Sequence, residues 1–270
     1  MNESYAPFTL AVSLDLQLDA GETIIAAPAG ALVPNPGLMA PDGLPELPAG
    51  AHIGQEECPG DLLVESALWL PPSGPADPAR RGLLLRALTP VEFPAGSMDA
   101  IAKRQGMAVA VVILSDKGSR GERKDECAPL IHSLLNGKLD ICHSRDWIIP
   151  DDPATLKALL TDLCLTQRYD LVLTSGGTGV APRDLTPEAT LAVIEKRLPG
   201  YERAMTAASL TKTPHGAISR AVAGTLGGSL IVNLPGSPKA VAENLEPLVP
   251  TLNHTIMKLQ GDPTDCALIK

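Results

Sequence analysis

Residues 107–114 read MAVAVVIL, eight consecutive apolar positions that run straight into a polar loop. Too short to span a bilayer, such a run reads as a strand buried on both faces, and that burial requires a largely parallel sheet with helices packed on both sides. The segments that follow meet this requirement. CAPLIHSLLNG (127–137) reads as a helix and SRDWIIP (144–150) as a second strand. Leu156, Leu159, Leu160 and Leu163 fall at i, i+3, i+4 and i+7, which makes one apolar helical stripe. DLVLTS (170–175) and GSLIVNLP (228–235) supply further strands, and a long helical pattern runs from Pro238 to about Leu259. Strands that alternate with helices predict βαβ units, right-handed crossovers and a ligand crevice at the carboxyl ends of the strands. The predicted fold class for residues 105–270 is therefore α/β, three-layer, with a largely parallel sheet flanked by helices.

The first hundred residues have a different texture. Seven prolines lie between Pro28 and Pro59, and PPSGPADP follows at 71–78, so long helices are forbidden there. Between them FTLAVSLDLQL (8–18), ETIIAA (22–27), DLLVESALWL (61–70) and GLLLRAL (82–88) carry strand-like patterns. A small β-rich domain is expected over residues 1–104, with a partly open barrel as its form.

A formal charge of −9 opposes a broad grip on nucleic acid, which needs an extended basic face, but leaves room for a small anionic ligand. The five cysteines, Cys58, Cys127, Cys142, Cys164 and Cys266, are scattered without a CxxC pair, which favours a reducing compartment over a disulfide framework or a zinc knuckle. No signal-like or membrane-spanning segment is present, so a cytoplasmic protein without membrane contact is expected. His132, His143, His215 and His254 show no metal-ligand spacing.

Four polar, glycine-rich segments occupy strand ends: SDKGSRGERKD (115–125), PDD (150–152), SGGTGVAPRD (175–184) and NLPGSPK (233–239). In the third, Gly176, Gly177 and Gly179 remove side chains that would keep an anion from backbone N–H groups, and Ser175 and Thr178 add hydroxyls. Thr186 and Pro187 are expected to cap and start the next helix. A lone GGxG serves more often as a tight turn than as a ligand loop, so convergence of the four segments carries the argument. Asp151 and Asp184 offer the hard oxygen ligands that a Mg²⁺–phosphate site needs, with substrate phosphates completing the shell. Lys117, Arg183 and Lys239 are candidates to balance phosphate charge.

Six blocks, SDKGSRGERKD, IIPDD, TSGGTGVAPRDLTPEAT, LPGYERAM, AISRAVAG and NLPGSPKAV, occur in an order and spacing that resemble the molybdopterin-binding domain of molybdopterin adenylyltransferases, from about Met107 to Leu259. The resemblance implies Mg²⁺-dependent transfer of AMP from ATP to molybdopterin, commonly by a homotrimer that works with other molybdenum cofactor biosynthesis proteins. It assigns Asp151 and Asp184 to the metal and phosphates. It places Ser175, Gly176, Gly177, Thr178 and Gly179 in the nucleotide-phosphate loop and Ser119, Gly121 and Asp125 in the first loop. Pro199, Gly200, Ser219, Arg220, Pro235, Gly236 and Ser237 match the remaining blocks around nucleotide and pterin. Residues 1 to about 104 have no counterpart in the stand-alone enzyme; tethering a pterin supplier or client and simple stabilisation are equally compatible with them. Two other readings stand beside the enzyme: a non-catalytic pterin or nucleotide carrier, and a molybdate-inserting transferase, which the chain length and RDLTPEAT disfavour.

Overall fold

A computed structural model describes residues 2–32, 37–55, 62–72, 74 and 78–263. Cys58, Cys266, Pro34, Pro36, Pro59 and Pro75 lie outside the described residues. The chain divides into two compact units, Met1–Gly106 and Met107–Lys270.

The first unit consists of strands β1 (Asn2–Ser4), β2 (Phe8–Val12), β3 (Leu16–Leu18), β4 (Thr23–Pro28), β5 (Leu38–Ala40), β6 (His52–Gly54), β7 (Leu62–Leu70), β8 (Arg80–Ala87), β9 (Val91–Phe93) and β10 (Gly96–Gln105). The main sheet runs β1-β10-β2-β5-β4-β8-β7-β6, and β6 pairs back onto β10. The expected partly open barrel is thus a closed one. Closure is possible because β10 is long: Gly96–Ala100 pair with β2 while Ile101–Lys103 pair with β6. Closing the ladder removes free strand edges. The expected single run at 8–18 is two strands, because β3 leaves the main sheet to pair with β9. Leu10, Leu38, Ile53, Leu62, Leu83 and Leu85 fill the interior.

The second unit has strands β11 (Met107–Leu114), β12 (Ile141–Ile149), β13 (Leu171–Ser175), β14 (Lys196–Arg197), β15 (Ala223–Leu226) and β16 (Ser229–Leu234) in the order β12-β11-β13-β16-β15-β14. The first four in that order are mutually parallel; β15 and β14 add an antiparallel edge. Every residue of β11, β13 and β16 is buried. Helices α1 (Asp116–Ser119), α2 (Cys127–Leu135), α3 (Pro153–Thr161), α4 (Thr186–Leu191), α5 (Pro199–Leu210), α6 (Pro238–Leu245) and α7 (Val249–Leu259) complete the unit. Two expectations are corrected. The helical pattern from Pro238 to Leu259 is broken between α6 and α7, where Pro247 has no N–H to continue the ladder. The second strand begins at Ile141, three residues before the expected start at Ser144. The leucine stripe crosses from α3 into a π turn at Asp162–Thr166, with Leu156, Leu160 and Leu163 buried.

Asp170, buried just before β13, ties the sheet together. Its carboxylate accepts hydrogen bonds from the Ala108 N–H at 2.7 Å and from the Gln260 amide. Its backbone N–H donates to the Ala108 carbonyl, and its carbonyl accepts from the Leu230 N–H, both at 2.9 Å. Asp170→Ala keeps the backbone bonds but leaves the Ala108 N–H and the Gln260 amide without their carboxylate acceptor, and is expected to lower unfolding stability by about 2–3 kcal/mol, read from urea titration.

Candidate functional site

The parallel order brings the carboxyl ends of β11, β12, β13 and β16 to one edge, and the four polar loops follow them. After β11, Ser115 caps α1 by accepting the Gly118 N–H at 3.0 Å. Asp116 comes next, a residue the sequence reading passed over in favour of Lys117. Its carboxylate accepts the Asp151 backbone N–H at 3.1 Å and pairs with the Arg183 guanidinium. One side chain therefore links the loops after β11, β12 and β13. The signal that finds it is the rule already applied to Asp151 and Asp184: an aspartate directly beyond a buried parallel strand.

Electrostatics sort these carboxylates. The Asp151 N–H, followed by Arg183, holds the Asp116 carboxyl below its ordinary value. Burial pushes the half-buried Asp151 carboxyl up; the Asp116 backbone N–H and Arg183 oppose that rise, and the negative charges of Asp116 and Asp184 add to it. Among the described residues no group of three or more His, Cys, Asp or Glu side chains is placed to hold a metal ion. A Mg²⁺ site needs fewer, since one or two carboxylates plus substrate phosphates and water suffice. Asp151, a half-buried carboxylate at a strand end beside the Asp116–Arg183 pair, could serve as one such ligand.

The SGGTG loop is shaped by its neighbours. Gly176 and Gly177 have φ of +113° and +64°, left-handed values that favour glycine. A Cβ on Gly176 would lie 2.6 Å from the Leu114 carbonyl oxygen, one on Gly177 2.4 Å from Thr186 Oγ1, and one on Gly179 2.6 Å from Asp184 Oδ2. The Thr186 hydroxyl donates to the Gly176 carbonyl at 2.9 Å, so it closes the loop instead of capping α4, whose N-cap is Leu185. Arg220 is equally committed: Nε donates to the Gly179 carbonyl at 2.7 Å, and its other nitrogens bond the Asp184 carbonyl and the Glu188 carboxylate. It braces the loop from behind. Ser175 Oγ donates to the Pro235 carbonyl at 2.8 Å, joining the third loop to the fourth.

Two cavities open at this edge. One of about 100 Å³ is lined by Ser115, Gly118, Arg123, Lys124, Asp125, Cys127, Ser175 and Gly236 among others. Asp125 caps α2 there, accepting the N–H groups of Cys127 (3.1 Å) and Ala128 (2.8 Å). Burial pushes the Cys127 thiol up. The other, of about 430 Å³, is bounded by Gly177, Thr178, Gly179, Asp184, Ser219, Pro235, Gly236 and Ser237, and also by Ser209, His215, Glu243 and Asn244, which the sequence reading did not single out. Ser219 Oγ is buried without a hydrogen-bond partner among the described residues. Ser119, Gly121, Asp151, Gly176, Pro199, Gly200 and Arg220 line neither cavity. Ser119 bonds within α1, and Pro199 and Gly200 are exposed at the first turn of α5. Lys117 and Lys239 are exposed, and His132 and His143 are engaged by Asp146 and Tyr169.

The family profile described as "Probable molybdopterin binding domain" matches residues 110–254, over half of the chain. The chain belongs to this family. Relatives include the molybdopterin adenylyltransferase of Haemophilus influenzae, 40% identical over 141 residues, 52% of this chain and 72% of that protein. That of Helicobacter pylori J99 is 36% identical over 159 residues, 58% of this chain and 90% of that protein. Gephyrin of Dictyostelium discoideum is 34% identical over 170 residues, but the match spans only 24% of that protein's length. The crystal structure of the molybdopterin biosynthesis enzyme MoaB from Thermus thermophilus superposes with a TM-score of 0.54 at 41% identity, covering 59% of this chain and 99% of that one. In this family member the likeness falls on the α/β unit. No described helix is long and apolar enough to cross a membrane.

Two substitutions test this geometry. The raised pKa means that the folded state holds a proton the unfolded chain has already released just above the ordinary carboxylate range. Ionising Asp151 therefore costs stability as pH rises through that window. Asp151→Asn is expected to raise the thermal midpoint at pH 7 but not at pH 3. Gly179 has no left-handed constraint, and an added methyl would meet only the Asp184 carboxyl, whose Oδ2 accepts the Ala181 N–H at 2.9 Å. Gly179→Ala is expected to displace that carboxylate and lower turnover at least tenfold, with the thermal midpoint within a few degrees of wild type.

Proposed function

We propose that this protein acts in molybdenum cofactor biosynthesis by transferring AMP from ATP to the terminal phosphate of molybdopterin, with release of pyrophosphate. The observation that carries the reading is the convergence of Asp116, Asp151, Arg183 and Asp184 beside a glycine loop that borders a 430 Å³ cavity. Relatives named as molybdopterin adenylyltransferases support it.

In this reaction a phosphate oxygen of the pterin bonds to the α-phosphorus of ATP as the bond to the β-phosphate oxygen breaks, and pyrophosphate departs with the electron pair. Little covalent work falls to the protein, so positioning and charge balance dominate. The residues supply both. Gly177 and Gly179 leave the loop without side chains where phosphates approach, and Ser237 borders the same space. Arg183, anchored by Asp116, stands ready to balance phosphate charge. Asp151 and Asp184 are the residues to hold Mg²⁺, which when bound would neutralise charge on the triphosphate and leaving pyrophosphate. The proposal includes a cytoplasmic homotrimer serving other cofactor biosynthesis proteins.

Purified protein incubated with molybdopterin, ATP and Mg²⁺ should yield adenylylated molybdopterin and pyrophosphate. Pterin binding without either product would make the protein a carrier. Asp151→Ala and Asp184→Ala are each expected to lower turnover about 100-fold or more with the fold retained, by analogy with removal of other preorganised charges. Unchanged rates in both would remove them from the mechanism.

A further inference from the structure

The wall of the larger cavity is not uniform in chemistry. Near the strand ends it consists of the glycine loop, Ser237 and Pro235–Gly236, a set suited to an anion. Helix α6 then carries the wall away from this point. Ser237 caps α6, accepting the Ala240 N–H at 3.3 Å, and Glu243 and Asn244 lie on the same helix and line the same cavity. At 1.5 Å of rise per residue, Glu243 stands about 9 Å along the helix axis from the cap. A ligand anchored by phosphate at the loops would extend its other end toward Glu243.

Glu243 forms no hydrogen bond or ion pair with any described residue, although it is only partly exposed and its neighbours are engaged. Asn244, buried beside it, donates its amide to Ser209 Oγ at 2.9 Å and to the Ala240 carbonyl at 2.8 Å. That fixes the adjacent wall and leaves Glu243, at the cavity wall, as a carboxylate acceptor without a donor among the described residues. An ionised carboxylate only accepts, and it is best satisfied by two parallel N–H groups from one planar partner. A 2-amino-4-oxopteridine presents such a pair in its 2-amino group and N3–H. Adenine places its amino group beside ring nitrogens that only accept, so it satisfies one carboxylate oxygen at most.

We infer that Glu243 is the residue that selects the pterin, accepting from the 2-amino and N3–H edge of a 2-amino-4-oxopteridine held in the 430 Å³ cavity. This rests on the adenylyltransferase reading for the identity of the substrate but not for its test.

The test compares binding of a 6-phosphomethyl pterin and its 2-oxo counterpart, which lacks the amino group, to the full-length protein by fluorescence titration. The wild type is expected to prefer the 2-amino compound at least tenfold, and Glu243→Gln to abolish that preference by weakening the 2-amino compound about tenfold. Glu243→Asp, which keeps the carboxylate, should retain part of it. In turnover assays Glu243→Gln should raise KM for molybdopterin while KM for ATP stays within twofold. Equal binding of the two compounds by the wild type, or a preference that survives in Glu243→Gln, overturns the assignment. So does a rise confined to KM for ATP, which would give Glu243 to the adenine. A wild type that shows the preference yet forms no adenylylated product supports Glu243 as a pterin acceptor and removes the proposed activity instead.

Discussion

Burial of β11, β13 and β16 on both faces is the constraint from which the site follows. Strands with no solvent-facing residue need helices on both sides, and helical crossovers between neighbours require the strands to run parallel. Parallel strands all end at the same edge. Four connections that are up to 118 residues apart in the chain, from Ser115 to Asn233, are thereby forced into one crevice. The backbone at that edge cannot be completed by the sheet, so loops, caps and side chains complete it: Ser115 on α1, Asp152 on α3, Thr186 on the Gly176 carbonyl and Ser237 on α6.

The charges there are arranged in opposition. The Asp151 N–H and Arg183 hold the Asp116 carboxyl below its ordinary value, whereas burial pushes the Asp151 carboxyl up. Two aspartates at equivalent strand ends so acquire opposite pKa shifts from their surroundings alone. Arg183 and Arg220 divide in the same way. Arg220 is spent on two carbonyl groups and a carboxylate, while the exposed Arg183 holds one side-chain partner, Asp116, among the described residues.

Much of the α/β unit was legible because its signals are local. MAVAVVIL, DLVLTS and GSLIVNLP are the strands expected, and the loop that follows each is polar. Errors arose where a local signal had two physical outcomes. Thr186 before Pro187 is an N-cap pattern, but a hydroxyl bonds the nearest unsatisfied group, and here that is the Gly176 carbonyl. Pro238 to Leu259 keeps helical periodicity across Pro247, yet the proline cannot supply the N–H that a continuous helix needs. The described residues of the first unit form strands and no long helix, in line with its proline density, but that density could not reveal that β10 would pair along both edges and close the barrel.

The sequence by itself determined the class of fold and the strand-end position of the loops, since these depend on the polarity and periodicity of side chains along the chain. The tertiary structure decided which groups meet. Asp116 and Arg183 are 67 residues apart and Asp116 and Asp151 are 35 apart; nothing in either spacing reports a contact. It also decided why each glycine is required, through three separate neighbours in Leu114, Thr186 and Asp184, and it brought Glu243 from an ordinary helix face into the cavity wall. Contacts of this kind depend on how the crossovers close, and closure is a property of the packed sheet as a whole.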